Sequence, residues 1–171
     1  QVQGWLRDLG RSLGFDIWVA ANDRNRAVLG GRLCDGCLDS LPATVEASTG
    51  AEAIRLIDVL WLERAGSNGT VAERVVAAFE VEHTTSIYSG IVRMLDLALG
   101  VPDHAGVRLF PVAPDAREED VRQQLARPAF RRVADLSVRF LPYGELEKNR
   151  ESMARFGTGL KAVEAVSRVL V

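Results

Sequence analysis

The chain of 171 residues has only two cysteines and no long apolar run. Two cysteines are too few for the disulfide framework of a small secreted protein. No apolar run approaches the roughly 20 residues that span a bilayer, and the amino terminus lacks the basic start and apolar stretch of a signal peptide. These absences argue against secreted and membrane proteins, and we expect a cytoplasmic protein.

Charge of one sign is also lacking, because 21 basic residues stand against 23 acidic ones and the net charge is −2. This balance argues weakly against a protein that binds nucleic acid over its whole surface. The composition, 47% hydrophobic and 26% charged, is typical of a soluble globular protein. The length fits one domain, residues 1–171. The chain begins at Gln1 inside a predicted helix, so we expect this domain to be part of a longer protein with additional domains.

Apolar spacing and turn residues predict alternating helices and strands, an α/β protein. The predicted helices are 2–13, 87–99, 116–134 with a break at Pro128, and 144–170 with a bend near Gly157 and Gly159. The predicted strands are 15–21, 54–62, 74–82, 107–112 and 136–141, and residues 30–50 are predicted as loop.

The second and third strands are predicted to form a hairpin, because Asn68-Gly69 lies between two apolar runs. With the turn centred there, Asp58 lies opposite Phe79, or opposite Glu80 if one bulged residue shifts the register. Both strands are apolar on both faces, which predicts a sheet covered on both sides.

Three acids interrupt these apolar strands. Glu80 and Glu82 are two residues apart, so they share a face at a spacing of about 7 Å, and Asp58 lies beside Glu80. Buried carboxylates are costly unless they are paired, neutralised or bound to a metal. A cluster of carboxylates suits Mg²⁺, which can lower the pKa of a bound water and neutralise charge on a phosphate. The alternative is that the acids lie at strand ends and meet solvent or arginines.

The order of helix, three-stranded meander, helix and strand resembles the PD-(D/E)XK nuclease superfamily, which has the restriction-endonuclease-like fold. The matching segments cover about two thirds of the chain: 2–13, 15–21, 54–62, 74–82, 87–99 and 107–112. The resemblance implies a three-layer α/β/α fold with a mixed central sheet. Its αβββαβ core would be residues 1–112, followed by an αβα extension over 113–171.

In that superfamily the second strand supplies an aspartate, and the third supplies an acid, any residue, and usually lysine. Asp58 and Glu80-Val81-Glu82 look like these motifs, with Glu82 in the lysine position, as in some restriction enzymes. The resemblance implies that Asp58 and Glu80 hold Mg²⁺ or Mn²⁺, with the Val81 carbonyl as a further ligand. Glu82 would help to bind the metal or position the attacking water.

The resemblance thus implies a Mg²⁺-dependent DNA endonuclease domain of restriction or defence type, for which a homodimer is a family expectation. The alternative is a catalytically degenerate module that binds nucleic acid or a protein partner. Five residues are accessory candidates: Gln3, Asp23, His83, Ser86 and Arg93. For His83 the other interpretation is an ordinary strand-end histidine, and for Arg93 it is a salt bridge with Asp96 or exposure to solvent.

Two further groups carry weaker signals. Cys34 and Cys37 form a CxxC pair that could bind zinc together with His83 and His104, but the spacing of a zinc site is missing, so an incidental pair is favoured. A dense basic cluster, Arg127, Arg131 and Arg132 with Phe130, could touch a nucleic-acid backbone or could be a solvated helix face.

Overall fold

The structure is a computed structural model that describes residues 1–64, 74–82 and 86–171. The α-helices in these ranges are Val2–Ser12 (α1), Ala43–Glu46 (α2), Ala51–Ile54 (α3), Ile87–Gly100 (α4), Glu118–Leu125 (α5), Tyr143–Phe156 (α6) and Lys161–Val166 (α7). The strands are Asp16–Val19 (β1), Ala27–Val28 (β2), Gly31–Arg32 (β3), Val59–Leu62 (β4), Val75–Val81 (β5), Arg108–Ala113 (β6), Ser137–Val138 (β7) and Leu141–Pro142 (β8). Two 3-10 helices, Asp115–Arg117 and Pro128–Asp135, flank α5.

A mixed sheet of six strands organises the fold. Its order is β1-β4-β5-β6-β7, and β8 also pairs with β6. β4 is antiparallel to both β1 and β5, whereas β6 is parallel to β5, β7 and β8. The predicted α/β class with a mixed sheet is therefore confirmed.

The two central strands are buried on both faces, as their near-continuous apolar sequences predict. Val59 pairs with Phe79, and the register shifts by one residue between Trp61 and Leu62. This shift corresponds to the predicted alternative with one bulged residue. When the Val59–Phe79 pairing is extended by one residue, Asp58 lies opposite Glu80. The Asn68-Gly69 turn lies outside the described residues.

Helices cover both faces of this sheet. One apolar core lies under α1, α6 and α7, and the other lies under α2, α3, α4 and α5. Helices α1 and α4 bury the apolar residues that their spacing predicts, namely Leu6 and Leu9 on α1 and Ile87, Ile91 and Met94 on α4. Among the described residues, we find no helix with the length and apolar character needed to cross a membrane.

Several predicted segments differ from the structure. The apolar run 54–62 is not one strand: Ala51–Ile54 is helical, a turn follows, and only Val59–Leu62 is extended. A short apolar run fits helix and strand equally well, so periodicity could not separate them. The predicted loop 30–50 contains α2 and half of the small β2–β3 hairpin. The break at Pro128 is confirmed, because proline cannot continue a helix.

Candidate active site

The candidate site lies at the edge of the sheet where β1, β5 and β8 end and β4 begins. Asp58 directly precedes β4, Glu80 lies near the end of β5, and Glu82 follows it. Asp23 comes after β1, and Tyr143 is the first residue of α6, directly after β8. Because β4 is antiparallel to β5 and β8 is parallel to β6, these chain ends meet at the same edge.

Both carboxylate oxygens of Asp58 accept hydrogen bonds. Oδ1 accepts from Gln3 Nε2 at 2.8 Å, and Oδ2 accepts from the backbone N–H of Val81 at 2.7 Å. Burial raises the pKa of the Asp58 carboxyl above its ordinary value, although hydrogen bonds with Val81 and Glu80 lower it. Asp58 is therefore fixed between α1 and β5 in a poorly solvated position.

Glu80 is 1% exposed and pairs with Arg93 of α4. Arg93 donates through Nε to Oε1 at 2.8 Å and through Nη2 to Oε2 at 2.9 Å, a bidentate geometry. Burial raises the pKa of Glu80 to about 8, which Arg93 opposes and the negative charges of Asp58 and Glu82 reinforce. One arginine does not compensate the negative charge at this edge.

Glu82 lies against the start of α4 and is 3% exposed. A Cβ atom added at Gly90 would lie 2.7 Å from Glu82 Oε1 and 3.1 Å from Glu80 Cβ. Only glycine at this position lets the helix approach the two carboxylates so closely. Tyr143 faces the same region, since burial and the charges of Asp58 and Glu82 raise its pKa to about 12.

A hydrogen-bond network joins Gln3 to the end of β1. Gln3 Nε2 also donates to Asp23 Oδ2 at 2.9 Å, while Gln3 Oε1 accepts from Arg26 Nη1 at 2.6 Å. Arg26 Nη2 donates to Asp23 Oδ1 at 2.6 Å. Gln3 is buried, and its amide holds the Asp58 carboxylate in orientation from the side of α1.

The structure brings Asp58, Glu80, Glu82, Gln3 and Asp23 to this one edge. Within residues 1–64, 74–82 and 86–171, no three Cys, His, Asp or Glu side chains form a group that could hold a metal ion. The predicted ligand set of Asp58, Glu80 and the Val81 carbonyl contains two side chains, one fewer than such a group. Mg²⁺ commonly uses one or two carboxylates together with water and substrate phosphate.

The other accessory candidates have different outcomes. Arg93 pairs with Glu80 instead of Asp96 or solvent, because the register of β5 places Glu80 beneath α4. Ser86 directly precedes α4 and makes no side-chain capping hydrogen bond. His83 lies outside the described residues.

The weak zinc signal receives no support from His104. This histidine is 3% exposed, its Nε2 accepts from the backbone N–H of Val75 at 3.1 Å, and its Nδ1 lies 2.8 Å from the Pro102 carbonyl. Both ring nitrogens therefore serve backbone groups. Cys34 and Cys37 are free thiols.

Sequence reasoning missed two residues of this edge, Arg26 and Tyr143. Arg26 lies in a polar segment after the first strand, which carries no chemical motif. Tyr143 follows a two-residue strand, too short for a periodic signal. Only knowledge that β8 runs parallel to β6 could have pointed to it.

Two buried acids, Glu80 and Glu82, and the half-buried Asp58 thus lie at one edge of a mixed α/β sheet, and comparison with known proteins shows the family of this chain. Residues 1–164 match the family model described as the type II restriction enzyme NmeDI C-terminal domain. The chain therefore belongs to this family of restriction enzyme domains.

One relative is the type II restriction enzyme NmeDI of Neisseria meningitidis serogroup C. It is 30% identical over 155 residues, which cover 86% of this chain and 41% of the relative. The chain thus spans about two fifths of that protein's length. No solved structure matches this chain.

Proposed function

We propose that this domain is the DNA-cleaving part of a type II restriction enzyme and hydrolyses phosphodiester bonds with the help of Mg²⁺ or Mn²⁺. The observation that carries the proposal is the pair Asp58 and Glu80. These carboxyls interact with each other, are poorly solvated and have raised pKa values. Perturbed acids of this kind concentrate at functional sites.

The proposal includes membership of the PD-(D/E)XK superfamily and the restriction-endonuclease-like fold. Helices on both faces of a mixed sheet, with antiparallel β1, β4 and β5 followed by parallel β6, support this assignment. The positions of Asp58 before β4 and of Glu80-Val81-Glu82 at the end of β5 support it too, with Glu82 in place of the usual lysine.

The residues present fit a divalent cation by their donor chemistry. A buried carboxyl that keeps a proton up to pH 8 marks a place where negative charge is under-compensated, and a cation can take the proton's place. Asp58, Glu80 and the Val81 carbonyl would hold the ion. Glu80 would then exchange contacts with Arg93 for contacts with the ion.

A cation held there would polarise the phosphate and lower the pKa of a bound water. The chain's own residues supply the positioning. Gln3 and the Val81 N–H orient Asp58, and Arg93 holds Glu80. Glu82, beside Gly90, would orient the attacking water.

The setting of the enzyme is part of the same proposal. We assign it double-stranded DNA as substrate and the cytoplasm as its location. Cutting both strands calls for two copies of a domain with one site, so we include a homodimer. Further domains would select the DNA sequence, as the 41% coverage of the NmeDI relative suggests.

One observation favours a second candidate function, a degenerate nuclease fold that binds DNA or a protein partner without cutting. Both oxygens of Glu80 are occupied by Arg93. Such a bidentate pair neutralises the carboxylate without a metal.

Cleavage of mixed phage and plasmid DNA with Mg²⁺ or Mn²⁺ tests the proposal. Wild type should nick or cut this DNA, and D58N and E80Q should each lose about a hundredfold or more in rate, because a charged group that acts in the transition state is removed. E147Q is the matched control, since Glu147 is an exposed acid on α6. Far-UV circular dichroism checks that each variant is folded.

The control should cut as well as wild type. Equal rates for E80Q and wild type would contradict the assignment of Glu80. If wild type and E80Q bind DNA equally and neither cuts it with either cation, the degenerate module is the correct function.

A further inference from the structure

A patch of aromatic and basic side chains lies beside the first turn of α4. The Tyr88 ring packs on Phe130, with 5.4 Å between centroids, and the guanidinium of Arg127 lies 5.1 Å from the Tyr88 ring centroid. Phe130 is 4% exposed and anchors the 3-10 helix, whereas Tyr88 is 42% exposed. Arg131 and Arg132 follow Phe130 and are exposed. We call Tyr88, Arg127, Arg131 and Arg132 the basic patch.

The basic patch carries more positive than negative charge. Residues 126–135 contain three arginines and one acid, Asp135. Arg127 donates to the neutral Gln124 Oε1 at 3.1 Å, and among the described residues none of the three arginines forms a salt bridge. By contrast, Arg122 on the preceding helix pairs with Glu118 and Glu119.

The basic patch and the candidate active site meet different sides of α4. Tyr88 is the second residue of this helix, and a Cβ atom added at Gly90, the fourth residue, would lie 2.7 Å from Glu82 Oε1. The two residues are about 3 Å apart along the helix axis but point in nearly opposite directions, because each residue turns the helix by about 100°. Tyr88 therefore lies on the solvent side of α4, and a DNA duplex, whose major groove alone is about 12 Å wide, is large enough to extend from the patch to the site.

We propose that Arg127, Arg131 and Arg132 bind the phosphate backbone of duplex DNA. The inference rests on the proposed function, because it takes duplex DNA as the substrate. Planar guanidinium groups match phosphate oxygens in bidentate geometry. Tyr88 holds Arg127 in place by a cation–π contact, which reduces the freedom that binding must remove. Contacts of this kind give affinity without reading sequence.

The salt dependence of DNA binding tests this interface. We would compare wild type with R127Q/R131Q/R132Q, using a fluorescent 30-base-pair duplex in EDTA so that no cation supports cleavage. K148Q/R155Q/K161Q is the matched control, because it removes three exposed positive charges from the opposite face of the sheet. Melting temperatures should be unchanged in both variants.

The patch variant should bind about tenfold or more weakly at low salt. Its slope of log K against log salt should be less negative than that of wild type by about 2.7, since each of three phosphate contacts contributes about −0.9. The control should keep the wild-type slope. Equal loss of slope in both variants, an unchanged slope in the patch variant, or no binding by wild type would each overturn the inference.

Cleavage with Mn²⁺ separates this inference from the proposed function. If wild type binds DNA through the basic patch and cuts nothing, the interface stands and the nuclease assignment fails. If wild type cuts DNA and the patch variant keeps both the affinity and the salt slope, the interface fails and the nuclease assignment stands.

Discussion

Glu80 is held between two opposing interactions. Arg93 donates two hydrogen bonds that favour the carboxylate, while burial and the charges of Asp58 and Glu82 favour the protonated acid. Burial prevails, and the pKa of Glu80 is raised to about 8. In a metal-free site, this residue therefore lowers the stability of the fold once it must ionise.

This raised pKa predicts how stability depends on pH. The folded protein keeps the Glu80 proton up to about pH 8, whereas the unfolded chain releases it near 4.5. The folded state binds more protons between these values, so the unfolding free energy should fall there as pH rises, by up to about 1.4 kcal/mol per unit. Urea unfolding from pH 5 to 8.5 in EDTA measures it.

E80Q should remove this contribution, so its unfolding free energy should fall less steeply with pH than that of wild type. E147Q should keep the wild-type dependence, because Glu147 is exposed. Parallel curves for wild type and E80Q would show that Glu80 ionises alike in the folded and unfolded states.

At the scale of elements, the contact of α4 with β5 sets the geometry of the site. Ile87, Ile91 and Met94 bury the apolar stripe of the helix against the sheet. Gly90 lies on the same side, and the absence of a side chain there lets the helix backbone approach Glu80 and Glu82. The helix therefore both fixes Arg93 over Glu80 and closes the space behind Glu82.

G90A should destabilise the protein. Alanine favours the helix by about 1 kcal/mol over glycine. Its methyl group, however, would lie 2.7 Å from Glu82 Oε1, and overpacking of this kind typically costs about 1–3 kcal/mol. We expect a net loss of about 1 kcal/mol in the urea unfolding free energy, together with weaker cleavage.

G100A provides the comparison on the same helix. A Cβ atom at Gly100 would meet nothing within 4 Å. This variant should be as stable as wild type or slightly more stable. If G90A were as well tolerated as G100A, the close approach of α4 to the carboxylates would not be a constraint on the fold.

At the scale of the whole molecule, the central sheet has one apolar core on each of its two faces. On the α1 and α6 side, an aromatic row crosses four segments: Phe15 stacks on Trp61, Trp61 contacts Phe79, and Phe79 stacks on Phe110. The row runs across β4, β5 and β6, and the acids of the site lie at the ends of β4 and β5. Its packing therefore holds the strands in the register that the site needs.

F110A tests this role of the core. Phe110 is fully buried and its ring lies 4.9 Å from that of Phe79. Truncation should lower the unfolding free energy by about 3–5 kcal/mol, because it removes apolar contacts and leaves a cavity. Chemical denaturation followed by Trp fluorescence measures the change.

F156A removes the same side chain from a position that is 77% exposed. Its effect should stay within about 0.5 kcal/mol. A small loss for F110A, comparable with that of F156A, would mean that the aromatic row does not hold the sheet together.

Much of the fold could be predicted from local pattern. The near-continuous apolar run Val75–Val81 predicts β5, and the spacing of Ile87, Ile91 and Met94 predicts α4. Pro128 marks the break after α5 because its chemistry is local. The helix Ala51–Ile54 was missed, since its apolar residues run without interruption into those of β4.

The sequence by itself determined most of the longer elements and the presence of three acids in or beside two apolar strands. Only the tertiary structure decided what surrounds those acids: Arg93 on Glu80, Gln3 on Asp58, and Tyr143 beside them. The reason is physical. Period and propensity depend on neighbours along the chain, whereas desolvation and charge pairing depend on groups that are distant in sequence and meet only when the sheet is assembled.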